Sequence, residues 1–435
     1  MQPTLPAQAE VQRRVVRALS VSQVLGGIGV ATVLTVSTLV AASISGSDIV
    51  GGLAVTFAVV GAALMSIPMA RLAARRGRRP ALLAGYAVAT VGAVVAAVGA
   101  ALGNAAVLLA ALVAVGGGTT AGLAARYAAT DLAAPGRRAR DLSLVVWAMT
   151  VGSVAGPNLA GPAQGVAAGY GVVAVAGPFL LSGVAFALAA VTVTVGLRPD
   201  PLRVVWANSL RSGTVPSGAV LGDVTRSGAV DSGAGVASAA RDRTAGWRAL
   251  WGSPHARLAL LGIVLCHTVM VALMSMTPVH MDHGGASLDV IGVVISLHIA
   301  GMFALSPLIG WLADRIGRVP VLAVGAGLLV AAAAVAGSAP ASGAVQLSIG
   351  LVLLGIGWSC GLVAGSALLT ESVPVAVRPD AQGISDLLMN AGGAVGGALA
   401  GTAVAVASFG GLALASGLLV LPFCAVIVAT SLRPA

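Results

Sequence analysis

The sequence predicts an all-α integral membrane protein, with twelve transmembrane helices arranged as two pseudo-symmetric bundles of six. Three observations predict it. The 435-residue chain is 58% hydrophobic and 9% charged, whereas a soluble domain carries about 25% charged residues. No polar shell could be drawn from such a composition. The apolar residues come in runs of roughly 20, the length that crosses a ~30 Å hydrocarbon core as a helix. The charge, in turn, is confined to gaps between alternate runs. All 24 basic residues are Arg, and the net charge is +10. With only 3% aromatic residues there is no stacking platform for nucleic acid, so the charge reads as a topology signal.

The elements follow in order. Residues 1–18 form a polar, basic leader with Arg13, Arg14 and Arg17 that runs directly into a span near 19–42, its own insertion signal rather than a cleaved peptide. After "SISGSD" comes a span at 49–70, then a loop with Arg71, Arg75, Arg76, Arg78 and Arg79. Spans at 81–102 and 105–129 are joined by "GN", and Arg137, Arg138 and Arg140 follow. Spans at 142–165 and 172–196 flank "VAAGYG" and complete the first bundle, 19–196. The connection 197–257 holds eight Arg, from Arg198 to Arg257. The second bundle, 258–431, has spans at 258–279, 289–309, 321–337, 345–369, 383–406 and 411–431. Arg315 and Arg318 follow its second span, Arg378 its fourth, and Arg433 lies in the tail 432–435. The alternate loops "HMDHGGAS", "GSAPASGA" and "SFGG" contain no Arg. By the positive-inside rule both termini and the long connection are expected in the cytoplasm, and the protein in the plasma membrane.

The long connection has two kinds of sequence. Its middle, 212–243, is rich in Gly, Ser and Ala and reads as a flexible linker. Its edges, "DPLRVVWANSLR" and "AGWRALWGSPHARL", mix Trp, Leu and Arg as interfacial helices do, with Trp206, Trp247 and Trp251 as headgroup anchors.

A duplication underlies the two bundles. "ARLAARRGRRP" at 70–80 matches "GWLADRIGRVP" at 310–320, 240 positions downstream. At the same offset Thr130-Asp131 matches Thr370-Glu371, Arg138 matches Arg378, and Gly152, Gly156 and Gly161 match Gly392, Gly396 and Gly401. Six spans separate the copies, so they share one orientation about an axis normal to the membrane.

"GWLADRIGRVP" resembles the loop signature of the major facilitator superfamily, Gly-x-Leu-Ala-Asp-Arg-x-Gly-Arg-Arg, and the layout of twelve spans extends the likeness to nearly the whole chain. The upstream copy departs from it, with Ala70 for Gly and Ala74 for Asp. Gly317 permits a tight turn and Gly310 a close helix approach, and Asp314 can face the positive end of a helix. The resemblance makes that helix the fifth span. It implies a cytoplasmic gate from Gly310, Asp314, Arg315, Gly317, Arg318 and Glu371 in one copy and Arg75, Gly77, Arg78 and Asp131 in the other. With Ala74 where the carboxylate would stand, the gate is expected to be carried mainly by the C-terminal copy.

Ionisable groups inside spans are costly and point to function. His267 lies about 13 Å into its span at helical rise, His298 at similar depth, Asp386 one turn before Asn390, and Arg126 one turn inside its span. Each histidine either hydrogen-bonds a carbonyl or takes up a proton near neutral pH. Asp386 is either a helix-start carboxylate or a coupling group. Arg126 either snorkels or pairs with a carboxylate or an anionic substrate. The fifth span, "GSVAGPNLAGP", resembles the Gly-Pro signature of antiporter branches through Gly152, Gly156, Pro157 and Gly161, with Ser143 and Ala160 as departures. A packing helix is the other reading. "TVMVALMSMTP" is either a soft apolar wall or ordinary packing, and Trp147 and Trp358 are candidate cavity aromatics. Cys266, Cys360 and Cys424 read as small apolar residues. "HMDH" supplies too few ligands for a metal, and no cofactor is expected.

The expected function is secondary transport of a small hydrophobic or drug-like compound outward against protons, by alternating access of a monomer in the lipid bilayer. Proton symport or facilitated uptake of a neutral or anionic metabolite is the alternative. A membrane-embedded enzyme or sensor is the remote one, since no catalytic motif is present.

Overall fold

The computed structural model describes residues 5–46, 48–211, 244–286 and 288–431. The linker 212–243, the tail 432–435 and the first residues of the leader lie outside the described residues.

The first half contains α1 (Leu5–Ser45), α2 (Asp48–Arg76), α3 (Arg78–Ala101), α4 (Ala105–Ala128), α5 (Arg138–Gly169) and α6 (Gly177–Gly196). Two short helices follow, α7 (Pro201–Arg211) and α8 (Ala245–Gly252). The second half contains α9 (Pro254–His283), α10 (Leu288–Phe303), α11 (Ser306–Ile316), α12 (Arg318–Gly337), α13 (Ala344–Ser372) and α14 (Arg378–Ser431). Among the described residues, eleven segments are long and apolar enough to cross a membrane. The last of these is two crossings joined at Ser408, whose φ of 67° breaks the helix. The chain therefore makes the twelve crossings its hydropathy predicts.

Two expected boundaries move. The leader is no loose tail, because α1 is helical from Leu5. Gln12 on its first turns is buried and donates to Asp141 Oδ2 and the Ala129 carbonyl, both at 2.7 Å. The eighth span breaks between Phe303 and Ser306, where α11 begins with Pro307 in its first turn. The edges of the long connection are helical as expected, with Trp251 exposed and Leu250 buried.

Each half has its own core. Leu19, Tyr86, Leu112, Phe179 and Phe186 pack together in the first. Ile263, Leu322, Leu354, Trp358 and Phe423 do so in the second. Small residues set the helix spacing, as in membrane bundles where backbones must approach closely. A Cβ on Gly152 of α5 would fall on the Val24 carbonyl and lie 2.8 Å from the Ile28 nitrogen of α1. Gly156 sits a turn further along the same seam, its carbonyl accepting from Thr32 Oγ1 at 2.9 Å. Gly161 faces open space. The antiporter-like motif is thus divided between a packing seam and a free surface. Gly152→Val is expected to lower stability by at least about 1–3 kcal/mol, because the obstacle is backbone. Gly161→Val should stay within about 0.5 kcal/mol of wild type. Thermal unfolding of both purified variants checks the contrast.

The halves meet along two crossings, α2 with α14 and α5 with α11. In the first, Gly383 lies against Ala70 and the Ser66 carbonyl; in the second, Gly310 lies against Ser143 and the Ala139 carbonyl. Ala70 corresponds to Gly310 in the duplication, and Ser143 to Gly383. Each crossing thus holds one glycine and one small side chain, on opposite partners. That accounts for two of the departures from the family patterns, Ala70 and Ser143. The crossings lie at the arginine-rich end. Toward the other end Gly161, Gly165, Gly169, Gly292 and Gly401 have open space where a Cβ would stand.

Candidate functional site

The arginine-rich end carries the charged groups that join the halves. Gly317, with φ 100°, turns the chain between α11 and α12, a backbone state that only glycine adopts without strain. That turn sets Asp314 beneath the start of α5. Its oxygens accept from Ala139 N at 3.1 Å and Arg140 N at 2.8 Å, two of the amides a helix start leaves without partners. Arg318 sits between three acceptors at 2.8 Å: Asp314, Glu371 and the Pro135 carbonyl of the other half. Arg138 approaches Glu371 at 3.5 Å. Arg315 lies outside this cluster, over the Trp311 ring at 5.0 Å.

The upstream copy is built differently. Gly77, with φ 95°, makes the same turn. Arg78 holds Asp131 through two bonds, at 2.8 and 3.2 Å, and reaches across the halves to Gln382 Oε1 at 2.6 Å. Gln382 is itself held by Thr370 Oγ1 at 3.2 Å. The cluster is buried, so this copy also spans the two halves rather than leaving the link to its partner. Arg75 is exposed. The missing carboxylate at Ala74 has a counterpart across the interface. The positions related to Ala139 and Arg140 are Pro379 and Asp380, and proline offers no N–H. A carboxylate at residue 74 would meet one amide fewer and a like charge. Asp200, just before α7, takes over at the start of α3, accepting from Arg79 N at 2.7 Å.

Deeper along the axis, α4 and α14 are joined by Arg126 and Asp386, 2.6 Å apart, with side chains 1% and 5% exposed. The guanidinium also donates to Ser366 Oγ at 3.0 Å, the Leu123 carbonyl at 2.9 Å and Tyr127 Oη at 3.2 Å, and lies 4.4 Å from the Tyr127 ring. Of the readings open to Arg126, pairing with a carboxylate is the one the geometry has. Four of its five N–H groups are engaged by these partners. Ser366 is Arg126's own counterpart in the duplication, so the pair lies at the pseudo-symmetric centre. Asn390 turns back to the Asp386 carbonyl at 2.7 Å and takes no part in the pair. Beside it Arg78, Tyr127, Gln382 and Asp386 line a cavity of about 20 Å³, room for one water.

The two span histidines do not come together. His298 is buried, its Nδ1 2.8 Å from the Leu351 carbonyl, which ties α10 to α13 inside the second half. His267 is half-buried, and its Nδ1 accepts from the Trp358 indole at 3.0 Å. Phe303 meets Trp358 edge-on, with centroids 5.5 Å apart. Met270 is buried in the second core, while Met274 and Met276 are half-buried against it. Trp147 is 42% exposed. In "HMDH", His280 stacks on Phe409 at 4.4 Å and approaches the Ala339 carbonyl. Among the described residues no three His, Cys, Asp or Glu side chains gather as metal ligands.

Sequence reasoning missed Gln382, Ser366, Tyr127, Asp200 and the Gln12–Asp141 bond. A signal existed for two of them. Gln382 and Asp141 are polar residues in the first turns of spans that follow an arginine loop.

Comparison with known proteins follows the same lines. The Major Facilitator Superfamily family model matches residues 19–288 and 259–435. The MFS-type transporter YdeG of Bacillus subtilis is 36% identical over 421 residues, covering 97% of this chain and 93% of that one. The riboflavin transporter RfnT of Brucella anthropi is 27% identical over 381 residues, 88% of this chain and 86% of its own. Among solved structures, the human organic anion transporter MFSD10 superposes with a TM-score of 0.72 at 16% identity, over 96% of this chain and 99% of the other. That likeness concerns the fold.

Proposed function

The chain belongs to the major facilitator superfamily, and from that premise we propose that it exports small, mostly apolar compounds in exchange for protons. The arginine-rich end faces the cytoplasm, and the two six-helix halves rock about the centre between them. The reading is carried by one observation, the buried Arg126–Asp386 pair between the halves. Opening the arginine-rich end must part these two groups. A buried ion pair broken on one side leaves an uncompensated charge, at a cost of about 3–5 kcal/mol. A proton on Asp386 removes the carboxylate charge and with it most of that cost. With the far end open, the proton arrives from outside. The released cytoplasmic end then opens, the proton leaves inward, and cargo takes its place. When the carboxylate re-pairs with Arg126 the end closes again, and cargo is discharged outside.

The Asp314 and Arg318 contacts, together with Arg78–Gln382, act as latches on the same end. They lie where only the closed arrangement of the loops can satisfy them. Arg126 has its charge paired with Asp386 and four of its five N–H groups engaged, which favours an uncharged cargo over an anionic one.

Vesicles containing the purified protein, with an imposed pH gradient, test the proposal. A panel of uncharged aromatic compounds, riboflavin included because one relative carries its name, is expected to move against the proton flow. Asp386→Asn should keep exchange at equal pH and lose accumulation driven by the gradient. Movement indifferent to the gradient would overturn the coupling. Movement in the same direction as protons would replace export with uptake by symport.

A further inference from the structure

His267 and Trp358 meet by way of their ring nitrogens, and only one arrangement of hydrogens fits. The indole N–H can only donate, so His267 Nδ1, 3.0 Å away, must present its lone pair. A neutral imidazole that accepts at Nδ1 carries its hydrogen on Nε2. No hydrogen bond from Nε2 occurs among the described residues, and the ring is half-buried rather than enclosed. Its Nε2 edge lies along Gly393 of α14. A Cβ there would stand 2.7–2.9 Å from that edge, so any larger residue at this position would crowd the N–H.

The groups facing the imidazole are few. From α13 there is Trp358, with Phe303 of α10 at its edge, and from α14 the bare Gly393. From the opposite half Arg126 acts on it electrostatically, partly offset by its partner Asp386. These surroundings are aromatic and apolar, with one fixed donor and a cation in the background. They suit neither a positive charge nor a ligand that must itself donate.

We propose that His267 Nε2–H is a hydrogen-bond donor to the cargo, held in that tautomer by Trp358, and that the cargo is an uncharged ring compound offering an acceptor such as a ring carbonyl. The inference rests on the transport reading above and names the chemistry of its cargo. It also gives the two candidates different roles: Asp386 carries the proton, and His267 holds the cargo.

The test compares flat probes that differ at one group, by calorimetric titration of the full-length protein in micelles. The probes are 9-fluorenone, fluorene without the carbonyl, and the cation 9-aminoacridine. Fluorenone is expected to bind about three- to tenfold tighter than fluorene, the effect of one net hydrogen bond. The cation should gain nothing over fluorene. His267→Phe should erase the fluorenone advantage and keep fluorene binding, and His267→Gln, which retains a donor, should restore part of it. Gly393→Ala keeps the histidine while crowding its Nε2 edge, and should also erase the advantage. Nitrogen NMR of imidazole-labelled protein should give His267 as the Nε2–H tautomer, a preference lost in Trp358→Phe. Equal binding of fluorenone and fluorene by the wild type, or an advantage that survives His267→Phe, would overturn the proposal. These ratios do not depend on a proton gradient, so their failure is distinguishable from a failure of the vesicle experiment.

Discussion

Asp386→Ala is expected to lower stability by about 3–5 kcal/mol and to abolish transport, read by thermal unfolding and by flux in vesicles. The size follows from what is left behind. Arg126 is buried beneath α14 and would keep Ser366, Tyr127 and the Leu123 carbonyl but lose its counter-charge at 2.6 Å. Removing one partner of a buried pair costs this much because the other charge stays behind without compensation. A second variant separates stability from coupling. Replacing both groups by apolar residues of similar volume, Arg126→Met with Asp386→Leu, is often neutral or stabilising at such sites. The double variant should therefore regain most of the lost stability while remaining uncoupled from the proton gradient. If it regained coupling as well, the pair would be a structural brace and the coupling group would lie elsewhere.

The pair also marks where sequence reading stopped. The twelve crossings were legible because apolar run length is a local property, and alternation of Arg between loops is nearly so. The duplication brought Arg78 to Asp131 and Arg318 to Glu371 on paper, since both pairs sit at matched positions in a repeat. Arg126 and Asp386 are 260 residues apart and break the repeat, the counterpart of Arg126 being Ser366. No spacing rule joins them, and only the docking of the halves does. The worn upstream copy shows a related dependence on the opposite half. Loss of the carboxylate at Ala74 looks like a weakened gate until Pro379 and Gln382 are seen opposite. One withholds the amide a carboxylate would need, and the other receives Arg78 instead. A loop motif records one side of an interface, and its meaning depends on the other side. His267 is a milder case. Its depth was legible, but the indole that fixes its tautomer lies 91 residues away.

Gly310→Ala is expected to shift the protein away from the conformation closed at its arginine-rich end, and Ser143→Gly in the same chain to reverse part of the shift, since it removes the side-chain obstacle and leaves the Ala139 carbonyl. A Cβ on Gly310 would fall on Ser143 Oγ and the Ala139 carbonyl. The carbonyl belongs to the first turn of α5, the turn whose amides hold Asp314. Overpacking of this kind costs about 1–3 kcal/mol, enough to change a conformational ratio roughly 5- to 150-fold. The cost falls only on the closed arrangement, because α5 and α11 need to touch only there. Spin labels at Arg75→Cys and Arg315→Cys, both exposed and on opposite halves, report the change as a longer distance. The double variant is informative because it copies a solution already present in the chain. At the other crossing the glycine lies on α14, at Gly383, and the methyl on α2, at Ala70. Gly310→Ala with Ser143→Gly would give both crossings that pattern. If the latch depends on the fit between the halves, the double variant closes more readily than Gly310→Ala alone. If Gly310 serves instead to let the α11 backbone bend, Ser143→Gly restores nothing, and the two crossings cannot be interchanged.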